Sequence, residues 1–507
     1  MEITILVFLW FLGFLFTILL YPRIPYYLCI TSGLFWGAII YIVEAIILGL
    51  VGLYSVLIWF ILGATFLALL VSHILRRQSV RTFPWMKSLK IAFAVIALSV
   101  ILVVFLGGKQ AFMGTTDSLS YIVFSTHFFN SGSLIIPGGG FFFHGHYGVS
   151  EMLINALGGF ISKPMLTLWH PALFISLYTS LTGMVYESAI NFGLNRKKAF
   201  SVSLAIAIWA GTASMNWVNS FYLHIHLFAS YCLTFVFYYA WKAVSTDRES
   251  GIELFLVSLA IGAYGLSRSE SPVAIFIFLA LIAFSKKFSR KERYVLFPLS
   301  MVIVSGWMLF LLLAYPGTEN NFWPDSRIIL ALIAYVLFGI FILFWETLKI
   351  SKYRKVLGKT VSYGIFFIPL ILFFISPDSV LENIYAIFTH FFGFGRYIGL
   401  GSWVFHMPGI ILILLASFSY LKTNKGDSEI RDRYQLPIKL ISAYIILLIF
   451  LGFMRMYQSG GSFTPGRWGD SASRMITHIA PSIAFFTSLI VSEIFAQKIT
   501  NNKTTEA

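Results

Sequence analysis

Apolar runs of near-bilayer length recur along the chain, separated by short polar segments. They lie near 3–20, 29–51, 54–75, 89–108, 166–190, 200–215, 222–243, 252–267, 272–285, 294–314, 329–347, 361–375, 403–421, 437–455 and 475–496. That is about 15 predicted spans, since some 20 apolar residues suffice to cross a bilayer. Backbone exposed to lipid must satisfy its own hydrogen bonds, so such runs fold as helices. Their unbroken apolarity lacks the alternation of barrel strands. The prediction is an all-α, polytopic transmembrane bundle, in which the short run at 272–285 makes the pair over 252–285 a broken hairpin.

Composition agrees: the 507 residues are 58% hydrophobic and 11% charged, against about 25% charged in soluble domains. No polar segment reaches about 50 residues, the lower bound for a soluble domain. Cys29 and Cys232 fall in apolar runs and indicate neither a disulfide framework nor a zinc site. Glu2 and the lack of a basic segment mark the first run as a membrane helix, not a cleaved signal.

The net charge of +15 is not read as nucleic-acid binding, because of where it falls. Most lysines and arginines cluster in alternate connections, among them Arg76, Arg77, Arg81, Arg196–Lys198, Lys286–Arg293 and Lys349–Lys359. The positive-inside rule puts these in the cytoplasm. The N-terminus is then outside a cell membrane and the C-terminus inside.

The opposite face is sparse in charge but holds, in its loops or the outer ends of spans, every histidine except His73. It also holds the acids Glu2, Asp117, Glu151, Glu270 and others. Glu44 and Glu187 lie within predicted spans, where a helix-packing hydrogen bond is the plainer reading. Two outer loops are long. Residues 109–165 open with a predicted interfacial helix carrying an apolar stripe of Leu119, Ile122, Val123 and Phe129, which Pro137–Gly140 would end. Residues 376–402 carry a second stripe, with Val380, Ile384, Ile387 and Phe391 at helical spacing.

Asp117 sits in GTTDSLSY, just past a membrane-length run. A carboxylate at the membrane surface suits a general base acting on an acceptor hydroxyl. Thr115, Thr116 or Asp117 equally suits the N-cap of the following helix. His144 and His146, with Asp117, have the two-residue spacing that brings both rings to one face of an extended loop. No HExxH or CxxC accompanies them, so a divalent metal is a weak expectation beside hydrogen bonding to sugar or phosphate. GGGFFF lacks the Lys-Ser/Thr of a phosphate loop.

The order of these features resembles the GT-C superfamily of integral membrane glycosyltransferases. A membrane helix leads to an acid in the first outer loop, then to a surface helix with Tyr121 and Gly132, then to HGHYGVSEMLINALGG leading into more membrane helix. LSRSESP (266–272) is similar to that superfamily's turn between mid-chain helices. DSASRMITHIAP (470–481) is similar to its late arginine stretch, with Met475 where tyrosine is common. The chain departs in having Thr116-Asp117 where a paired acid is frequent. It also has His144-Gly145-His146 where relatives acting on lipid A or protein hydroxyls carry a Lys-Pro-Pro-like stretch.

The resemblance implies additional helices at 1–84, a catalytic membrane core at 85–300 and C-terminal helices at 301–507 with a cytoplasmic tail. It implies a polyprenyl-phosphate-linked sugar donor, a lipid, glycan or protein acceptor, and surrounding membrane lipids. Asp117 would be the catalytic base or a metal-positioning acid, Arg268 and Arg474 would hold the donor phosphate, and Tyr121, His144, His146 and Glu270 would shape the sugar or acceptor site. The competing classes are a transporter or flippase of a lipid-linked or anionic substrate, and a non-catalytic assembly subunit. A transporter calls for ionisable groups at the bilayer midplane and paired broken helices.

Overall fold

The structure is a computed structural model that describes residues 1–75, 82–106, 116–135, 148–211, 226–245, 249–268, 271–285, 288–315, 325–345, 349–391, 428–458, 475 and 477–505. These residues are overwhelmingly helical, with no strand among them. Two compact units divide the chain, one built mainly from Met1–Gly211, the other from Cys232–Thr487. Among the described residues, seven helices are long and apolar enough to cross a membrane. Side chains such as Val56, Phe60 and Phe374 are largely exposed on their surfaces, as lipid-facing positions require.

The first unit opens with α1 (Glu2–Ile18), α2 (Tyr26–Thr31), α3 (Gly33–Leu50), α4 (Tyr54–Leu75) and α5 (Trp85–Leu106). The predicted span 29–51 is thus split between a short helix and a long one, parted at Ser32. α1 and α3 pack almost backbone to backbone. A Cβ on Gly37 would lie 1.8 Å from the Leu9 carbonyl oxygen, and one on Gly13 would lie 2.0 Å from that of Gly33. Without a hydrophobic force between helices in lipid, close approach through small residues is what holds them together.

α6 (Thr116–Ser131), α7 (Ser150–Ala156) and a 3₁₀ turn (Leu157–Ile161) follow, then α8 (Trp169–Asn191) and α9 (Arg196–Gly211). The 148–161 stretch, within the predicted outer loop, forms the two short buried elements and leads into α8, as expected. A buried polar knot ties α2 and α8 to the start of α10 (His226–Ser245). There the Tyr231 hydroxyl lies 2.7 Å from Ser180 Oγ and 2.9 Å from Ser176 Oγ, and Ser176 Oγ donates to the Thr31 carbonyl at 2.6 Å. Glu44 bears out the packing reading, accepting from Thr65 Oγ1 at 2.5 Å between α3 and α4.

The second unit contains α11 (Gly251–Gly265), α12 (Ser271–Ser285), α13 (Arg290–Ala314), α14 (Asp325–Leu343), α15 (Arg354–Ile375), α16 (Pro377–Phe391) and α17 (Ser428–Gln458). α18 (Ala480–Thr505) starts in this unit and ends in the first. α11 and α12 have 15 residues each. At 1.5 Å per residue, each is about 22 Å long and falls short of a bilayer core. That is the broken hairpin expected from the sequence. α13 contains Pro298, and two residues on, the Ser300 N–H donates to Ser258 Oγ of α11 at 3.0 Å. A neighbouring serine thus helps satisfy the backbone beside a helix-interrupting proline. α16 lies against α17 through Val380 and Ile384, two members of the predicted stripe. The expected span at 403–421 lies outside the described residues.

Candidate functional site

Asp117 occupies the first turn of α6, a 16-residue helix. The face this helix buries is set by Tyr121, Ser125 and Phe128, all 0% exposed. Their i, i+4, i+7 spacing is a helical stripe. Ser125 Oγ donates to the Tyr121 carbonyl at 2.5 Å, and the Phe128 ring packs 4.3 Å from that of Tyr54. Leu119 and Val123 of the predicted interfacial stripe are more than half exposed, on a different face from the one packed inside the protein. The helix ends at Ser131, well before Pro137, because Gly132 turns left-handed at φ 68°. There its carbonyl accepts the Tyr54 N–H at 3.3 Å, docking α6 on the turn between α3 and α4. A Cβ at Gly132 would lie 2.9 Å from the Gly52 carbonyl oxygen.

Below α6 lie two buried carboxylates. Glu2 is 6% exposed and accepts from Lys163 Nζ at 3.0 Å, Thr167 Oγ1 at 3.0 Å and the Leu168 N–H at 2.5 Å. Glu151, 1% exposed, faces His170 Nε2 at 2.8 Å and accepts from Asn155 Nδ2 at 2.7 Å through the same Oε1. Asn155 Oδ1 in turn accepts the Leu166 N–H at 3.2 Å. Together these bonds hold the 148–168 segment to the start of α1 and to the start of α8. Between α6 and this segment opens a pocket of about 270 Å³, lined by Ser125, Thr126, Phe129, Asn130, Asn155 and Lys163 among others.

Arg268 stands on the turn between α11 and α12, only 8% exposed. Its carbonyl accepts both the N–H (3.2 Å) and the hydroxyl (2.5 Å) of Ser271, which fixes the turn. The Tyr335 hydroxyl donates to the Pro272 carbonyl just beyond. One helical turn before Arg268, the Tyr264 ring lies 6.5 Å from the buried His478 ring. His478 Nδ1 is 2.6 Å from the Tyr444 hydroxyl, which also donates to the Met475 carbonyl at 3.2 Å. Tyr264, two residues before LSRSESP, and His478, in the last part of DSASRMITHIAP, are therefore neighbours inside the second unit although 214 residues apart.

Of the residues singled out from sequence, Asp117 and Tyr121 sit on α6 in the first unit, and Arg268 in the second. His144, His146, Glu270 and Arg474 lie outside the described residues. His127 is half-buried, and its Nε2 has no hydrogen-bond partner among the described residues. No group of three His, Cys, Asp or Glu side chains suited to a metal ion occurs among the described residues. The Glu2–Lys163 and Glu151–Asn155–His170 clusters were not singled out from the sequence. The only trace was the gathering of acids and histidines on the predicted outer face.

No model of a known protein family matches the chain, and no curated protein does. Among solved structures it is similar to the archaeal oligosaccharyltransferase AglB from Archaeoglobus fulgidus, solved in complex with an inhibitory peptide and a dolichol-phosphate. The identity is 15% and the TM-score 0.48, over 82% of this chain and 51% of that one. The chain thus spans about half the length of AglB.

Proposed function

We propose that the chain is a multi-pass glycosyltransferase of the cell membrane, with its N-terminus outside and its C-terminus in the cytoplasm. It takes a sugar from a polyprenyl-phosphate donor and passes it to an acceptor hydroxyl on the exoplasmic face. The observation that supports this reading is the buried Arg268 on the turn between α11 and α12, with Tyr264 one helical turn before it beside the buried His478. A buried arginine on a turn between two half-length helices is costly in a membrane and is kept where it serves a site.

In the reaction, the acceptor oxygen attacks the anomeric carbon and the bond from that carbon to the phosphate oxygen breaks. The phosphate leaves with the electron pair, and Asp117 takes the acceptor proton. Arg268 and Arg474 stabilise the phosphate dianion as its charge grows, and arginine suits this through bidentate contact. His144, His146 and Glu270 bind sugar or acceptor hydroxyls; Tyr121, expected beside them, is fully buried on α6 and instead anchors the helix that presents Asp117.

The test is Asp117→Asn in the full chain reconstituted in nanodiscs, assayed for transfer from polyprenyl-phosphate sugars. Loss of transfer with an unchanged melting temperature is expected. Full activity in a folded variant removes Asp117 from the mechanism.

A further inference from the structure

The pocket between α6 and the 148–164 segment has no part in the reaction just described, yet its lining is specific in chemistry. Phe129 supplies one aromatic ring, held edge-on by Phe160 at a centroid distance of 4.8 Å. Gly159 leaves that ring its place, since a Cβ there would lie 2.4 Å from it. Around the ring stand Thr126, Asn130 and Ser162, whose side chains make no hydrogen bond among the described residues. Asn155 is different: it is buried, and its amide is fixed by Glu151 and Leu166.

The one charged residue among the described lining, Lys163, is paired with Glu2 at 3.0 Å. An anion would therefore have to compete with a carboxylate that is 5% exposed and fixed by two further donors. A neutral ligand meets no such competition. The volume of about 270 Å³ lies just under the roughly 300–1,000 Å³ of pockets for drug-sized ligands, so it suits one ring rather than a chain of them. An aromatic face with a rim of amides and hydroxyls complements a pyranose, whose C–H face is apolar and whose edge carries hydroxyls.

We propose that this pocket is a subsite for a single neutral pyranose. On the glycosyltransferase reading, that ring is part of a glycan acceptor, and the subsite lies about two to three helical turns along α6 from Asp117, each turn being about 5.4 Å. It would select acceptors that already carry a sugar.

The experiment uses the full chain in nanodiscs and saturation-transfer difference NMR, a method suited to weak ligands. The probes are methyl α-mannopyranoside, methyl α-glucopyranoside and methyl α-N-acetylglucosaminide, with inorganic phosphate as competitor. At least one glycoside is expected to give a signal that phosphate does not displace. Asn130→Ala and Thr126→Val should each weaken binding about three- to tenfold, the loss of about one hydrogen bond. Gly159→Ala should weaken it by moving Phe129, with the melting temperature measured in parallel for all three. Asp117→Asn should bind as the parent does. If no glycoside binds, if phosphate displaces it, or if folded Asn130→Ala and Thr126→Val both bind as the parent does, the subsite is refuted. Failure of Asp117→Asn to lose transfer would instead strike the proposed reaction and leave the binding result standing.

Discussion

Glu2 offers the sharpest test of the energetics. Its carboxylate is 5% exposed while its ion-pair partner Lys163 is 48% exposed. An ion pair with one end in solvent is worth about 0–1 kcal/mol. The bond from the Leu168 N–H, 2.5 Å long, goes to a buried charged acceptor. Bonds of that kind contribute about 1.5–3 kcal/mol, and losing the acceptor strands a backbone donor. The backbone bond therefore outweighs the ion pair. Glu2→Ala should cost about 2 kcal/mol and lower the melting temperature of the first unit by about 4–8 °C, by the scaling for domains of about 200 residues. Glu2→Gln keeps an oxygen for Leu168 and Thr167 and should cost less. Lys163→Met should cost under about 1 kcal/mol. Differential scanning fluorimetry on the three variants in one detergent gives the order. If Lys163→Met proves as damaging as Glu2→Ala, the ion pair dominates and the reasoning is wrong.

Other outcomes follow from equally local features. Gly37→Ala must push α1 away from α3, because its Cβ would meet backbone at 1.8 Å; a loss of about 1–3 kcal/mol is expected. Gly63→Ala on α4, with nothing within 4 Å of the new methyl, should be neutral or stabilising by up to about 1 kcal/mol in the same melt. Tyr231→Phe leaves Ser176 and Ser180 with Thr31 as an alternative partner, so it should cost only about 1 kcal/mol. Arg268→Gln should lower kcat for transfer about 10²- to 10³-fold while the KM for acceptor holds, as expected when a group stabilises charge that develops only in the transition state.

The helices were legible because bilayer-length apolar runs leave little else for a backbone to do. The half-length pair α11 and α12, and Glu44 as a packing acid, were also readable, from run length and from a lone acid in an apolar run. The buried face of α6 was not. In a membrane, exposed side chains meet lipid, so apolarity stops marking the inside; Leu119 and Val123 face out while Ser125 faces in. The end of α6 was misplaced because one left-handed glycine, Gly132, acts before the more conspicuous Pro-Gly run. Glu2 was invisible as a site because its partners lie more than 160 residues away in sequence.

That separation has a consequence for how the protein is made. The Glu2 carboxylate leaves the ribosome with α1, yet the donors that satisfy it are 161 to 166 residues downstream. By then α1 can already be zipped to α3 through Gly13, Gly33 and Gly37, which all lie within the first 40 residues. Until then the Glu2 carboxylate lacks Lys163, Thr167 and Leu168 as partners. The bonds that bury Glu2 thus join the start of α1 to residues made just before α8, across most of the first unit's sequence.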